Sequence, residues 1–262
     1  MDRYKQVAES LESAAKRYVQ DRDFQDLSRV FAEAQRATRT FPESFPDLAD
    51  FSNKLAITLG QLFEHTHELD VAGLAVSTAE SAIREAETSD NANELALGSN
   101  TLARVLGRRF DQAGSRPDLE RAIALLTESL SREHQGPEGL KHRVIGIGYL
   151  ANLLGARFDQ EGDVEDLQLA IRHSEEALKY PPMDPVKLIT LANRLSQRAQ
   201  SDKDVGDIDR AIVYGEQVLS LNARWHPDWA TWLSDVGKFY GMRFQLGAKA
   251  PRDVRRGIDL TR

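Results

Sequence analysis

The stretch LARVLGRRFDQAGSRPDLERAI (102–123) recurs 48 residues later as LANLLGARFDQEGDVEDLQLAI (150–171). The two segments are identical at 13 of their 22 aligned positions. A pattern that recurs at such an interval is typical of stacked repeats, because one unit alone cannot bury its own apolar face. The sequence therefore predicts a repeat architecture.

More copies are found around one anchor: an aromatic residue after a basic one, followed eight or nine residues later by aspartate and an aliphatic residue. Anchors lie at positions 18, 63, 110, 158, 199 and 244, and the copies at 63 and 199 are degraded. Their spacings of 41–48 residues fill the chain. We therefore predict one superhelical domain, 1–262, with repeats near 1–45, 46–90, 91–136, 137–183, 184–224 and 225–262.

Each copy is predicted to form two helices joined by a short turn. Apolar residues recur at helical spacing on both sides of the anchor, and no strand-like alternation of any length occurs. Gly114 and Gly162 lie in the turns, where glycine tolerates a left-handed backbone at a helix end. The expected fold is all-α, with about twelve antiparallel helices.

Small residues and charges within the repeat favour structural roles. Gly107 and Gly155 are expected where two helices cross closely, facing the alanines of the second helix (Ala122, Ala170 and Ala211). The anchor aromatics Phe110, Phe158 and Phe244 are expected in the core. Aspartates at the start of the second helix (Asp118, Asp166 and Asp207) can accept hydrogen bonds from free amides there. The arginine before each anchor recurs with this aspartate, which favours an ion pair across each turn.

Composition excludes several function classes. The 34 basic and 41 acidic residues give a formal charge of −7, which disfavours general affinity for nucleic acids or anionic membranes. The absence of cysteine removes disulfides, thiolate zinc sites and cysteine nucleophiles. The charged N-terminus is no signal peptide, and no apolar run reaches a bilayer-spanning length. We expect a cytoplasmic protein without cofactor or metal.

The segment LLGARF…G…DLQLAI…EEAL (153–178) resembles a tetratricopeptide repeat (TPR). The family pattern is matched in order by Leu154, Gly155, Phe158, Gly162, Ala170, Ala177 and Leu178. The copies here are longer than the usual period of about 34 residues. This resemblance implies a right-handed α-solenoid of about six helix pairs and a role in protein–protein interaction.

The longer repeat is similar to those of large fungal proteins, in which the array precedes a caspase-like CHAT peptidase domain or belongs to a nucleotide-binding receptor. The resemblance implies a scaffold or sensor arm of such a protein, without its catalytic activity. The last helix, from Asp253 to Arg262, is short, so Ile258 and Leu260 are expected to lack a covering neighbour. The chain is thus expected to be a fragment of a longer protein or to self-associate there.

In the TPR family, the first helix of each pair lines a concave groove that binds peptides. When the groove positions of the family are counted from the glycine of each repeat, the residues implied here are Lys54, Gln61, Arg104, Arg108, Tyr149, Asn152, Asn193, Gln197 and Lys238. Arginine suits carboxylates and asparagine suits a peptide backbone, so the expected ligand is an acidic or C-terminal peptide. The alternative is a solvated helix face, in which Asp111 and Asp159 neutralise the arginines.

Two further patterns allow other functions. Trp225, Trp229 and Trp232 recur on one helical face. They indicate packing between repeats, or an aromatic patch that would make a pocket for a ligand or even for an unusual solenoid enzyme. His65 and His67 form a weak metal pattern without a third ligand in view. No catalytic triad order, P-loop or dinucleotide fingerprint occurs in the sequence.

Overall fold

The computed structural model describes residues 48–133, 135–181, 184–221, 224, 226–248 and 251–261, together with single residues 6, 9, 10, 13, 17 and 32. Within these residues the fold is entirely helical. The helices from residue 48 onward are α1 (Leu48–Thr66), α2 (Leu69–Thr88), α3 (Ala92–Ala113), α4 (Arg116–Ser131), α5 (Gly136–Glu161), α6 (Val164–Leu178), α7 (Pro185–Asp202), α8 (Val205–Ser220), α9 (Trp229–Arg243) and α10 (Pro251–Thr261). A π-helical turn, Phe244–Ala248, follows α9.

Consecutive helices joined by short turns pack as antiparallel pairs, such as α1 with α2, α3 with α4, and α7 with α8. First helices also contact each other, as α1 contacts α3. The turns reverse through a left-handed residue. Gly114 (φ 66°) and Gly162 (φ 73°) confirm the predicted turn glycines, whereas His67 (φ 58°) and Lys203 (φ 59°) adopt the same conformation without glycine.

The chain divides into two compact units, residues 1–149 and 150–262. In the described part of the first unit, α1 buries Phe51, Leu55, Leu59 and Phe63, one residue per helical turn. The largest fully buried side chains of its other helices are Leu102, Leu106, Leu119, Leu126 and Ile147. This spacing explains the helical periodicity read from the sequence.

The second unit has its own apolar core. It is built from α6 to α9 around fully buried leucines such as Leu188, Leu191 and Leu195. Phe158 packs against this core as expected, and Leu260 of α10 does so as well. The expectation that Leu260 lacks a covering neighbour is therefore wrong. Ile258, two residues earlier, is exposed.

The anchor aromatics do not all behave alike. Phe110 is buried, in agreement with the sequence prediction. Phe244 is 38% exposed, so its assignment to the core is wrong. The reason is local: α9 passes into the π-helical turn at this residue, which alters the direction in which the side chain points.

The predicted ion pair across the turn is confirmed in each described copy that carries both residues. Arg157 donates to Asp166 through Nε (2.7 Å) and Nη2 (2.6 Å). The same two-pronged geometry joins Arg109 to Asp118, Arg198 to Asp207 and Arg243 to Asp253. The four aspartates are buried. The corresponding pair of Arg17 and Asp26 lies outside the described residues.

Capping is done by other residues than the sequence suggested. Asp163 accepts from the backbone N–H of Glu165 (2.9 Å), and Asp204 accepts from that of Gly206 (2.8 Å). Asp166 and Asp207, expected as caps, lie three residues further on and bind their arginines instead. Each second helix of these copies therefore begins with two aspartates that have separate tasks.

We expect the Arg109–Asp118 pair to make the fold sensitive to acid. Burial raises the pKa of Asp118, but hydrogen bonds from Arg109 and Ser115 lower the pKa. Their combined effect is the larger one, so the pKa lies below its ordinary value of 3.8. A depressed folded-state pKa stabilises the protein above the unfolded pKa, and this contribution is lost as pH falls through the folded value.

The measurement is the melting temperature of wild type and Asp118→Asn from pH 7 to pH 2. Wild type should melt at a higher temperature near neutral pH, and the difference should shrink below about pH 4. A difference that stays constant over this range would contradict the assignment.

Candidate peptide-recognition face

The first-helix face of the unit 1–149 brings together charged residues from neighbouring repeats. Glu64 of α1 lies between two arginines of α3: Arg104 Nη1 donates to Glu64 Oε1 at 3.2 Å, and Arg108 Nε lies 3.6 Å from the same atom. Tyr149 of α5 is half-buried beside them. Burial raises the pKa of its hydroxyl, and the opposing charges of Arg104 and Glu64 act on it as well.

Arg104 is seated over a glycine. A Cβ atom placed on Gly60 would lie 3.0 Å from Arg104 Nη2 and 3.1 Å from Val105 Cγ2. The side chain of Arg104 is only 18% exposed. Arg104 therefore fills space between α1 and α3 and is held by Glu64, so it belongs to the packing of the repeats as much as to their surface.

Arg108 differs from Arg104 in being 59% exposed. Its guanidinium lies 3.6 Å from the carboxylate of Glu64 and 3.5 Å from that of Asp111. Both distances are longer than those of ordinary hydrogen bonds. The sequence alternative of internal neutralisation by Asp111 is thus realised, but loosely.

A pocket of about 430 Å³ opens at this position, where α1 and α3 end. It is lined by Phe63, Glu64, His67, Arg108, Asp111 and Gln112. The turn between α1 and α2 is fixed to α3 by Gln112, whose Nε2 donates to the carbonyl oxygen of His67 at 2.7 Å. The pocket therefore combines an apolar floor, Phe63, with carboxylates and one exposed guanidinium.

Three other predicted site residues are exposed: Lys54, Gln61 and Asn152. Lys54 forms an ion pair with Asp50 one turn earlier on α1, at 2.6 Å. Gln61 lies on the same helix as Glu64, and its carbonyl oxygen contacts His65 Nδ1 at 2.8 Å. Asn152 belongs to the second unit and is an exposed residue of α5.

The first-helix face of the second unit has a guanidinium that the sequence analysis missed. Arg194 Nη1 contacts both oxygens of Asp159, at 2.8 and 2.9 Å, and its guanidinium occupies the space that a Cβ on Gly155 would need. Gln197 also donates to Asp159, at 2.9 Å. The close approach at Gly155 thus accommodates the guanidinium of Arg194, a contact that the sequence did not predict.

The remaining predicted groove residues of this unit converge on Asp235. Asn193 Nδ2 donates to Asp235 Oδ2 at 3.3 Å, and Lys238 Nζ donates to Asp235 Oδ1 at 2.9 Å. Asn193 and Lys238, both predicted to bind a peptide, therefore bind a carboxylate of the chain itself. Of the two arginines predicted for the groove, Arg108 has the more exposed side chain.

The described tryptophans differ in burial: Trp232 lies in the core of the second unit, and Trp229 is partly buried against that core. Trp232 is 4% exposed and belongs to the core of the second unit, and Trp229 packs edge-on against it at 6.4 Å between ring centroids. His226 stacks on Trp232 at 4.3 Å. Trp225 lies outside the described residues. The burial of Trp232 supports the packing interpretation.

Other site classes find no support in the described part of the chain. Among these residues, no group of three histidine, aspartate or glutamate side chains is arranged to hold a metal ion. His65 is an exposed residue of the last turn of α1, and His67 is an exposed residue of the turn that follows it. None of the described helices is both long and apolar enough to cross a membrane.

Comparison with known proteins agrees with this architecture. A family model for the tetratricopeptide repeat matches residues 99–136, which begin in α3 and end at the start of α5. No curated protein matches the sequence. BtubC (BKLC) from P. vanneervenii is similar in structure, with a TM-score of 0.53 and 18% identity over 97% of this chain and 90% of that chain. A kinesin light chain structure from Podosopora anserina, which contains nearly identical TPR-like repeats, is also similar. Its TM-score is 0.49 and its identity to this chain is 16%, over 83% of this chain and 96% of that chain.

The similarity to BtubC concerns the fold, since sequence identity is low. Together with the family match it confirms the predicted fold class, all-α and of the TPR-like solenoid type. Residues 99–136 therefore match the tetratricopeptide-repeat model, and the fold around them is a TPR-like series of antiparallel helix pairs.

Proposed function

We propose that this protein is a non-catalytic protein-interaction module, and that it binds an acidic or C-terminal peptide on the first-helix face around Arg108. The observation that carries the proposal is the pocket of about 430 Å³ in which Arg108 is 59% exposed. TPR-type folds host many functions, so the argument rests on this site and not on the fold alone.

Arg108 is suited to exchange partners. Its present ion pairs with Glu64 and Asp111, at 3.6 and 3.5 Å, are exposed and contribute little to stability. A peptide carboxylate can accept two parallel hydrogen bonds from the guanidinium, which is a stronger interaction. Glu64 would retain Arg104, so the repeat packing is undisturbed by the exchange.

Neighbouring side chains extend the proposed site along the face. The hydroxyl of Tyr149 is protonated at neutral pH and can donate a hydrogen bond, and burial raises its pKa further from neutrality. Lys54 and Gln61 provide exposed polar groups on α1. Within the unit 1–149, Arg104 supports the face through its hydrogen bond to Glu64. In the second unit, considered by itself, Asn193, Gln197 and Lys238 make bonds of the same kind to the chain's own carboxylates.

We further propose a setting for this activity, the regulatory arm of a CHAT-type protease or of a nucleotide-binding receptor. This part of the proposal rests on the resemblance of the long repeat to such arrays. In that setting, peptide binding to the first-helix face would be the signal that the array receives.

Arg108→Glu is expected to weaken peptide binding about tenfold or more, because a charge-assisted hydrogen bond is lost and a repulsive carboxylate is introduced. The matched control is Arg116→Glu, which makes the same charge change at an exposed arginine of the second helix α4. Binding is measured by fluorescence polarisation against a library of acidic and free-C-terminal peptides.

Equal loss of binding in both variants would indicate a general charge effect and would contradict a site at Arg108. So would unchanged binding in Arg108→Glu. Circular dichroism and melting temperature establish that each variant is folded.

A second candidate function is self-assembly through α10, because Val254 and Ile258 on this helix are 39% and 44% exposed. Under this alternative, the mass measured by light scattering rises with concentration and falls in Ile258→Asp. A mass that does not change with concentration would exclude it.

A further inference from the structure

We propose that the pocket at Arg108 takes a segment of mixed charge, in which a carboxylate binds Arg108 and a neighbouring basic side chain binds Asp111. This inference rests on the proposed function and specifies its ligand class. It follows from how the charges around the pocket are shared.

The pocket lies beside a network of two arginines and two carboxylates. Glu64 pairs with both Arg104, at 3.2 Å, and Arg108, at 3.6 Å. Asp111 pairs with Arg108, at 3.5 Å. The network therefore has no net charge. Its two carboxylates both line the pocket, together with Arg108 but without Arg104.

Binding of a carboxylate changes the two acids of the network differently. When Arg108 turns toward the ligand, Glu64 keeps its hydrogen bond from Arg104. Asp111 loses the guanidinium beside it and then lies in the same pocket as the incoming carboxylate. Two like charges at short distance repel each other, so a purely acidic ligand is disfavoured at this position.

A basic side chain on the same segment removes this repulsion. Placed at Asp111, it takes over the position that Arg108 has left, and every charge of the network has an opposite partner again. Asp111 is 56% exposed and can be reached from solvent. The chain's formal charge of −7 also favours a ligand that brings a cation with its carboxylate.

The effect is modest because both groups are exposed. Surface ion pairs contribute up to about 1 kcal/mol, which corresponds to a preference of about two- to fivefold for a mixed-charge peptide over an acidic one. The preference should require Asp111, whereas binding of either peptide should require Arg108.

The test uses three sets of 12-residue peptides, acetylated and amidated at their ends and otherwise matched. One set carries only aspartate and glutamate as charged residues, one only lysine and arginine, and one carries an acid and a base one to three residues apart. Dissociation constants are measured by fluorescence polarisation for wild type, Asp111→Asn, Arg108→Gln and the control Glu128→Gln. Glu128 is an exposed carboxylate of α4 that pairs with Arg132, away from the residues that line the pocket.

Wild type and Glu128→Gln are expected to bind the best mixed peptides about two- to fivefold tighter than the best acidic ones. Asp111→Asn should lose this preference by binding acidic peptides as well as mixed ones. Arg108→Gln should bind both sets weakly.

Three results would overturn the inference, and they separate it from the proposed function. If wild type prefers acidic peptides and Arg108→Gln loses them, the mixed-charge ligand is wrong while the peptide site stands. If the preference for mixed peptides persists in Asp111→Asn, Asp111 is not the partner of the basic side chain. If Arg108→Gln binds every set as wild type does, the inference is wrong, and so is the proposed recognition of acidic side chains by Arg108.

Discussion

Asp166→Ala is expected to lower the free energy of unfolding by about 3–5 kcal/mol, because it removes the buried carboxylate that accepts two hydrogen bonds from the partly buried guanidinium of Arg157. Asp166 is 3% exposed and accepts two hydrogen bonds from Arg157, at 2.7 and 2.6 Å. The pair joins α5 to α6 across their turn, so its loss also loosens the packing of this helix pair. Urea denaturation followed by circular dichroism provides the measurement.

Two further variants make this expectation specific. The double variant Arg157→Met/Asp166→Leu should recover most of the lost stability, because apolar residues of similar volume can replace a buried ion pair. Glu128→Ala, which breaks an exposed pair with Arg132 at 2.9 Å, should cost no more than about 1 kcal/mol. A cost for Asp166→Ala as small as that of Glu128→Ala would contradict a structural role for the pair.

Gly146→Ala is expected to destabilise the protein by about 1–3 kcal/mol, although alanine is the better helix former by about 1 kcal/mol. A Cβ at this position would lie 2.7 Å from Asn100 Oδ1 and 3.4 Å from Leu130 Cδ2. Asn100 has little freedom to move, since it is buried and donates to the carbonyl oxygen of His142 at 2.8 Å. The same arrangement recurs one repeat earlier, where Asn53 lies over Gly98 and donates to the carbonyl oxygen of Glu94.

The matched control is Gly148→Ala, because a Cβ on Gly148 of the same helix would meet nothing within 4 Å. This variant should be neutral or more stable by up to about 1 kcal/mol. In an Asn100→Ala background, Gly146→Ala should lose most of its cost, which a double-mutant cycle in urea measures. An equal effect of Gly146→Ala with and without Asn100 would show that the asparagine is not the obstacle.

The helix pairs and the arginine–aspartate pairs could be predicted because they depend on short-range spacing. Arg157 and Asp166 are nine residues apart, and Arg109 and Asp118 have the same separation, so recurrence alone indicates contact. The turn glycines follow the same rule, since their conformation is set within one turn. Phe244 broke the pattern because a π-helical turn, which no residue of the repeat signals, begins there.

The arginine side chains packed over Gly60 and Gly155 were missed, because counting within one repeat does not account for the spacing between repeats. Gly60 receives Arg104 and Gly155 receives Arg194, so the two separations differ by five residues. Links between repeats vary in length, and positions counted from the repeat glycine therefore shift. This count selected Asn193 and passed over Arg194, its neighbour. The recurrence of a glycine followed four residues later by an acid, Glu64 or Asp159, is the signal that could have found both contacts.

The candidate site was predicted only in part: Arg108 was selected, whereas the pocket residues Phe63, His67 and Gln112 were not. Counting from the repeat glycine selected Arg104, Arg108 and Tyr149, which the structure brings together around Glu64. Arg104 is mostly buried because its side chain packs over Gly60 of the preceding repeat, whereas Arg108 has no such contact with Gly60 and is exposed. This difference makes Arg108, and not Arg104, the residue on which the proposed recognition depends.

The most direct test of this recognition is a double-mutant cycle between Arg108→Gln and replacement of the contacting aspartate of the tightest-binding library peptide by asparagine. The account predicts a coupling free energy of about 1 kcal/mol or more, because each change alone removes the same hydrogen-bonded ion pair. A coupling near zero, with both single changes weakening binding independently, would show that the peptide carboxylate does not bind Arg108 and would contradict the account.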